Sequence, residues 1–242
     1  QRHDFKSDII SGPLDADKLD YLLRDNYHTG VKYGLYDLEK IIESLRVIPL
    51  GAEKFLGIDE EGVYALEQFV MAKYHMTTQV YFHKIRCITD SMIVRGIELA
   101  VEEGLEDVKK LYAYNGTVAF IENYCKYYDG NLMGLIIKKG GPLSKELFER
   151  LFHRRLFKQI HKKRVSDLEG ARLKDKFSTL TVEKTRELEI ALGQGLNINP
   201  KFVIIKIVDI KNPIGRPEGF SIVDSSILVK LSGREPEEIS AI

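Results

Sequence analysis

The chain carries no excess of charge of either sign, with 36 lysines and arginines against 36 aspartates and glutamates. A global basic field of the kind that draws a protein to nucleic acid or to an anionic membrane is therefore absent. No run of about 18 apolar residues occurs, so no membrane-spanning helix is expected, and the N-terminal residues lack a signal-peptide pattern. Cysteine is scarce: Cys87 and Cys125 both fall in apolar stretches with helical spacing. They are expected to be buried thiols and not a disulfide, which suits a reducing, cytoplasmic setting. Proline is missing from residues 60 to 103. What is present is ordinary for a soluble protein: 242 residues, 44% hydrophobic and 30% charged. That length can bury a substantial core in one or two domains. The chain opens on Gln1 and not on Met, and it is expected to be a piece of something longer.

Residues 14 to 28 read as a first helix, with Pro13 at or near its first position and aspartates at the positive end of its dipole. Gly30 and Gly34 bracket a turn, and Asp37 is a fitting N-cap for a short helix through Arg46. Residues 47 to 59 hold Pro49, Gly51 and Gly57 and read as a short hairpin or loop. In the proline-free stretch, Leu66, Phe69, Val70, Tyr81, Ile85, Ile88, Met92 and Ile93 recur at helical spacing. This predicts one long helix, or two broken near Thr77 and Thr78, closed by Gly104. Helices are expected at about 105 to 112, 116 to 127, 144 to 163 and 181 to 193. Residues 202 to 210 (Phe-Val-Ile-Ile-Lys-Ile-Val-Asp-Ile), flanked by Pro200 and Pro213, read as a strand, as do 227 to 231. The expected fold is mostly α, residues 1 to 163, followed by a small α+β portion, residues 164 to 242.

The first helix is the most informative segment. At 3.6 residues per turn Asp17, Tyr21, Asp25 and His28 fall on one stripe, opposite Leu19, Leu22 and Leu23. A stripe of carboxylates, a phenol and an imidazole can offer a metal ligand and hydrogen bonds to a polar small molecule. The same residues also admit a plain reading: Asp20 and Arg24 form an i,i+4 pair, and Asp15 and Asp17 complement the helix N-terminus.

The run Ser-Gly-Pro-Leu-Asp-Ala-Asp-Lys-Leu-Asp-Tyr-Leu-Leu-Arg-Asp-Asn-Tyr-His-Thr-Gly, residues 11 to 30, resembles the final metal-ligand region of HD-domain phosphohydrolases. The likeness is to the deoxynucleoside triphosphate triphosphohydrolase type. A second block, residues 62 to 76 (Gly-Val-Tyr-Ala-Leu-Glu-Gln-Phe-Val-Met-Ala-Lys-Tyr-His-Met) with Val80-Tyr81-Phe82-His83-Lys84, is similar to the same family. The resemblance implies an HD-type helical domain that splits a deoxynucleoside triphosphate into nucleoside and inorganic triphosphate. It also implies a divalent metal ion, with Mg, Mn, Fe, Ni and Zn not distinguished, held by two histidines and two aspartates. Asp17 would be the last of these ligands. The family's first three lie about a hundred residues upstream, in a region this sequence does not contain. His3-Asp4 is no substitute, being polar and only thirteen residues before Asp17. The 242-residue chain by itself is therefore expected to be inactive.

The resemblance also assigns substrate contacts. Lys18 would meet phosphate, Tyr21 would stack near sugar and phosphates, and Asp25 would accept from the sugar 3′-hydroxyl. Lys73 stands where the family often has a phosphate-binding arginine, keeping the charge but losing the bidentate fork. Tyr81 would crowd out a 2′-hydroxyl, and Phe82 replaces a polar substrate-reading residue of some relatives. Asp37, Lys40, His83, Lys84 and Arg154 match nucleotide-contacting positions of effector-regulated relatives, which implies a nucleotide effector and a homo-oligomer. Residues 138 to 176 hold thirteen Lys or Arg against five Asp or Glu. That excess suits a triphosphate effector or nucleic acid, or else a solvated basic face. The alternative to an enzyme is a non-catalytic nucleotide-binding or oligomerisation module.

Overall fold

The computed structural model describes residues 5–163, 180–207, 227–230 and 237–238. The chain divides into two compact units, Gln1–His83 with Asp209–Ile242, and Lys84–Val208. The boundary expected at 163/164 adjoins residues outside the described ones.

In the first unit, α1 (Phe5–Ser11) leads to α2 (Ala16–Thr29) and α3 (Leu38–Ser44). The strands β1 (Leu45–Leu50) and β2 (Glu53–Asp59) follow, then α4 (Val63–Met76) and a π-helical turn, Thr77–Tyr81. The expected hairpin is present, with Leu45 opposite Ile58 and Leu50 opposite Glu53. Gly51 sits at φ 62°, the left-handed backbone that a two-residue hairpin turn requires. Two short strands from the far end of the chain extend the sheet, β3 (Leu228–Lys230) parallel to β2 and β4 (Glu237–Glu238) antiparallel to β3. The leucine face of α2 is buried as its periodicity requires: Leu19 and Leu22 join Ile41, Ile58, Leu66, Phe69 and Met76 in one core. Buried Asp8 ties α1 to the sheet by accepting the Leu56 N–H at 2.9 Å.

The second unit contains α5 (Lys84–Glu102), α6 (Glu106–Leu111), α7 (Val118–Tyr124), α8 (Asp129–Lys139), α9 (Pro142–Phe152) and α10 (Val182–Leu196). Helix α5 packs on α9, where a Cβ on Gly96 would lie 2.6 Å from the Phe148 ring. Arg95, on α5, is 5% exposed. Its guanidinium donates to Glu189 at 2.6 Å and to the carbonyls of Lys201 at 2.9 Å and Val203 at 3.2 Å.

Four expectations need correction. The strand expected at 202 to 210 is absent as far as residue 207, and 208 to 210 lie outside the described residues. Pro200–Phe202 is a 3-10 turn, and the backbone beyond it satisfies its hydrogen bonds with side chains. Arg95 takes two carbonyls, and Glu189 accepts the Ile205 N–H at 2.9 Å. The basic helix expected through 163 ends at Phe152. There the Arg154 N–H reaches Leu151 O, the Arg155 N–H reaches Arg150 O, and Arg154 adopts φ 53°. This is the double closing bond of a Schellman end, which usually has glycine where Arg154 stands. Helix α8 was not expected. Cys125, expected to be buried, is exposed beyond the last turn of α7, and Cys87 is half-buried; both thiols are free.

Candidate functional site

Helix α2 begins at Ala16, two residues later than the expected start at 14, because Asp15 and not Pro13 sets the start. Asp15 is 4% exposed. Its Oδ1 accepts the Lys18 N–H at 2.8 Å, as an N-cap does. Its Oδ2 binds the Lys18 ammonium, which also donates to the Gly12 carbonyl at 3.0 Å. Gly30, at φ 71°, closes the helix. Asp17 lies exposed in the first turn and makes no hydrogen bond or ion pair among the described residues.

One turn on, the Tyr21 ring meets Tyr81 edge-on at 6.0 Å between centroids. The Tyr81 hydroxyl donates to Asp25 Oδ2 at 2.8 Å. Burial, and then the carboxylates of Asp15, Asp17 and Asp25, push the Tyr21 phenol above its ordinary value. Burial and the bond to Asp25 do the same to Tyr81. Both hydroxyls therefore stay protonated and can donate. Tyr81 ends the π-helical turn, marked by the Phe82 N–H to Thr77 O bond at 2.9 Å. Eight residues of regular α-helix overshoot two turns of about 7.2 residues. The wider π turn takes up that excess, so Lys73 and Tyr81 sit closer to one face.

The side chain of Lys73, half-buried on α4, makes no hydrogen bond or ion pair among the described residues. Burial pulls its ammonium below the ordinary range, the nearby Lys18 ammonium pulls further, and Asp15 partly offsets both. Asp15 thus pairs with one ammonium, Lys18, and acts on the second, Lys73, only at longer range. An uncompensated, partly desolvated cation is what a polyanionic ligand can satisfy. For a metal, the described residues contain no group of three or more His, Cys, Asp or Glu side chains placed to hold one. Asp17 stands as a single candidate ligand, and His3 and Asp4 lie outside the described residues.

The remaining candidates are placed as follows. His28 is exposed against Tyr27 at 5.3 Å, and His75 sits 5.9 Å from the Tyr33 ring. Asp37 caps α3 by accepting the Lys40 N–H at 2.9 Å, and the Lys40 ammonium pairs with Glu61 at 3.4 Å. Both belong to the first unit with His83, while Lys84 and Arg154 belong to the second. His83, Lys84 and Arg154 are exposed. Sequence reasoning missed the role of Asp15. The signal was available, since an aspartate just before a helical run is the commonest kind of cap, but it was absorbed into a reading of helix-dipole charge.

Residues 36–219 match the family model described as the HD associated region. The chain belongs to the HD-associated region family. Within it, 110 residues are 39% identical to the uncharacterized protein MJ1154 of Methanocaldococcus jannaschii, covering 46% of this chain and 24% of that protein. Over 156 residues it is 22% identical to the deoxynucleoside triphosphate triphosphohydrolase SAMHD1 of Danio rerio, covering 61% of this chain and 24% of that protein. The chain thus matches about a quarter of the length of each of these relatives. Its fold is similar to that of a phosphohydrolase from Bacteroides thetaiotaomicron, with a TM-score of 0.62 and 22% identity, over 98% of this chain and 58% of that one. Among the described residues no helix is long and apolar enough to cross a membrane.

Proposed function

We propose that this chain is part of a metal-dependent phosphohydrolase that releases inorganic triphosphate and nucleoside from deoxynucleoside triphosphates. The observation that carries the reading is Lys73: a half-buried ammonium without a side-chain partner among the described residues, within electrostatic range of the Lys18–Asp15 pair. Likeness to two proteins, a phosphohydrolase and a deoxynucleoside triphosphate triphosphohydrolase, supports the same reading.

In this reading Lys73 and Lys18 neutralise the phosphate chain, each as a point charge and not as a fork. Tyr21 lies along sugar and phosphates. Asp25, held by the Tyr81 hydroxyl, keeps an oxygen for a sugar 3′-hydroxyl, and the Tyr81 ring fills the space a 2′-hydroxyl would need. Asp17 is the carboxylate offered to a divalent cation. One carboxylate does not close a metal site, so the other ligands have to come from outside the described residues. The exposed Arg154, held in a backbone conformation that costs an L-residue about 1–2 kcal/mol, favours a use for its side chain. We assign it, with Asp37, Lys40, His83 and Lys84, to a nucleotide effector that joins copies of the chain in the cytoplasm.

The test is product analysis with the full-length gene product, deoxynucleoside triphosphate and a divalent metal. Inorganic triphosphate is expected, lost together with bound metal in Asp17→Ala. Release of monophosphate or pyrophosphate, or an Asp17→Ala variant with wild-type activity and metal content, would contradict the reading.

A further inference from the structure

The Asp15 carboxylate has two oxygens and uses them differently. Oδ1 accepts the Lys18 backbone N–H at 2.8 Å, which caps α2. Oδ2 grips the ammonium of the same residue. A cap needs one acceptor, and serine, threonine or asparagine would serve it about as well. The second oxygen is therefore not explained by helix capping. Its effect falls on Lys18. An ammonium has three N–H donors. Here one goes to Asp15 and one to the Gly12 carbonyl at 3.0 Å, which leaves one uncommitted. The Lys18 side chain is 26% exposed and that of Asp15 only 6%, so the carboxylate is the buried, fixed partner and the ammonium reaches outward from it. Lys73 lies close enough for the two ammonium groups to repel, and Asp15 acts on Lys73 in the opposite sense. Without a counter-charge, Lys18 would swing into water and away from Lys73.

We propose that Asp15 is a positioning residue, whose buried carboxylate holds the Lys18 ammonium near Lys73 with one N–H free for a phosphate oxygen. The pairing resembles a loaded clamp. Two of the three donors are fixed before the ligand arrives, so the third is already oriented and little side-chain freedom is lost on binding. The inference rests on the triphosphate reading of this site, and it adds a residue that contacts no ligand itself.

The test titrates inorganic triphosphate into the protein by calorimetry, using Asp15→Asn and Asp15→Ser. Both keep an N-cap acceptor and remove the charge. Folding is checked by circular dichroism and the melting temperature. Binding is expected to weaken roughly tenfold, about the value of one charged hydrogen bond, with melting close to wild type. Combined with Lys18→Ala, the Asp15→Asn change should add nothing, because Asp15 acts through Lys18. If Asp15→Asn and Asp15→Ser bind triphosphate like wild type while Lys18→Ala and Lys73→Ala lose it, the assignment of Asp15 is overturned and the phosphate reading stands. The assignment is equally overturned if the loss in Asp15→Asn persists in full in the Lys18→Ala background. If Lys18→Ala and Lys73→Ala themselves bind like wild type, the phosphate reading fails and Asp15 falls with it.

Discussion

Two clusters of buried charge in this molecule are built from similar groups and end in opposite states. In the second unit Arg95 and Arg186 face Glu98 and Glu189. Arg186 pairs with both glutamates, Arg95 binds Glu189 at 2.6 Å, and the remaining oxygen of Glu189 takes the Ile205 N–H. Cations and anions are equal in number, Arg95 Nη1 ends on two backbone carbonyls, and Arg95 Nε, without a hydrogen bond, lies 3.3 Å from Glu98. In the first unit Asp15 pairs with Lys18 and acts on Lys73 only at longer range, and among the described residues neither the Lys73 ammonium nor the exposed Asp17 carboxylate has a direct partner. The first arrangement is closed and can only hold the unit together. The second has charge left over, which costs stability in the free protein and which, in the proposed function, a ligand would complete.

The closed cluster should be the costlier to break. Glu189→Ala leaves Arg95 buried without its carboxylate, and breaking a buried pair from one side is worth about 3–5 kcal/mol. Urea unfolding should show that loss, and a change below about 1 kcal/mol would mean the network is not what holds residues 200 to 207 in place.

The open cluster should respond in the other sense. Lys73→Met removes a partly desolvated, repelled cation while keeping the apolar stem. Stability should hold or rise, while under the proposed function turnover of deoxynucleoside triphosphate by the full-length gene product falls at least tenfold, since one charged hydrogen bond is worth about 1.5–3 kcal/mol. The pH dependence has a definite sign. Lys73 titrates below its ordinary 10.5 in the folded protein, so over that interval the unfolded chain binds more protons and stability rises with pH. The destabilising effect of the wild-type lysine is therefore fully present at neutral pH. It fades as pH climbs toward 10.5, and the gap between wild type and Lys73→Met in denaturant midpoints should close over that range.

The same contrast explains what was legible in the sequence. Local rules served the first unit well. The α2 leucine face, the Asp37 cap, the hairpin and the break near Thr77 all follow from residues within a few positions of one another. The gathering of Tyr21, Asp25 and Tyr81 was anticipated through a family likeness, although Tyr81 reaches Asp25 across 56 positions. The second unit defeated the reading where distant side chains decide the backbone. The β-branched run at 203–207 carries strand propensity, but Arg95, more than a hundred residues earlier, takes the Val203 carbonyl, and Glu189 takes the Ile205 N–H. The end of α9 was hidden because arginine stands at a position that usually announces itself as glycine.

A smaller effect separates the roles of the Tyr81 ring and its hydroxyl. Tyr81→Phe removes the 2.8 Å bond to Asp25 and should cost about 1 kcal/mol of stability or less. Ribonucleotide rejection should survive, because the ring still fills the space. Tyr81→Ala should relax that rejection, read as the ratio of kcat/KM for deoxyribo- and ribonucleotides. Equal relaxation in both variants would place selectivity in the hydroxyl and not in the ring.

Whether a polyphosphate completes the charge left over on Lys73 is decided by the rise in melting temperature that inorganic triphosphate gives wild type and Lys73→Met, measured side by side at neutral pH. Wild type should be stabilised in proportion to the logarithm of triphosphate concentration above its Kd. Lys73→Met should start at the same or a higher melting temperature and gain little. A variant that melts lower than wild type yet gains as much from triphosphate would contradict the account.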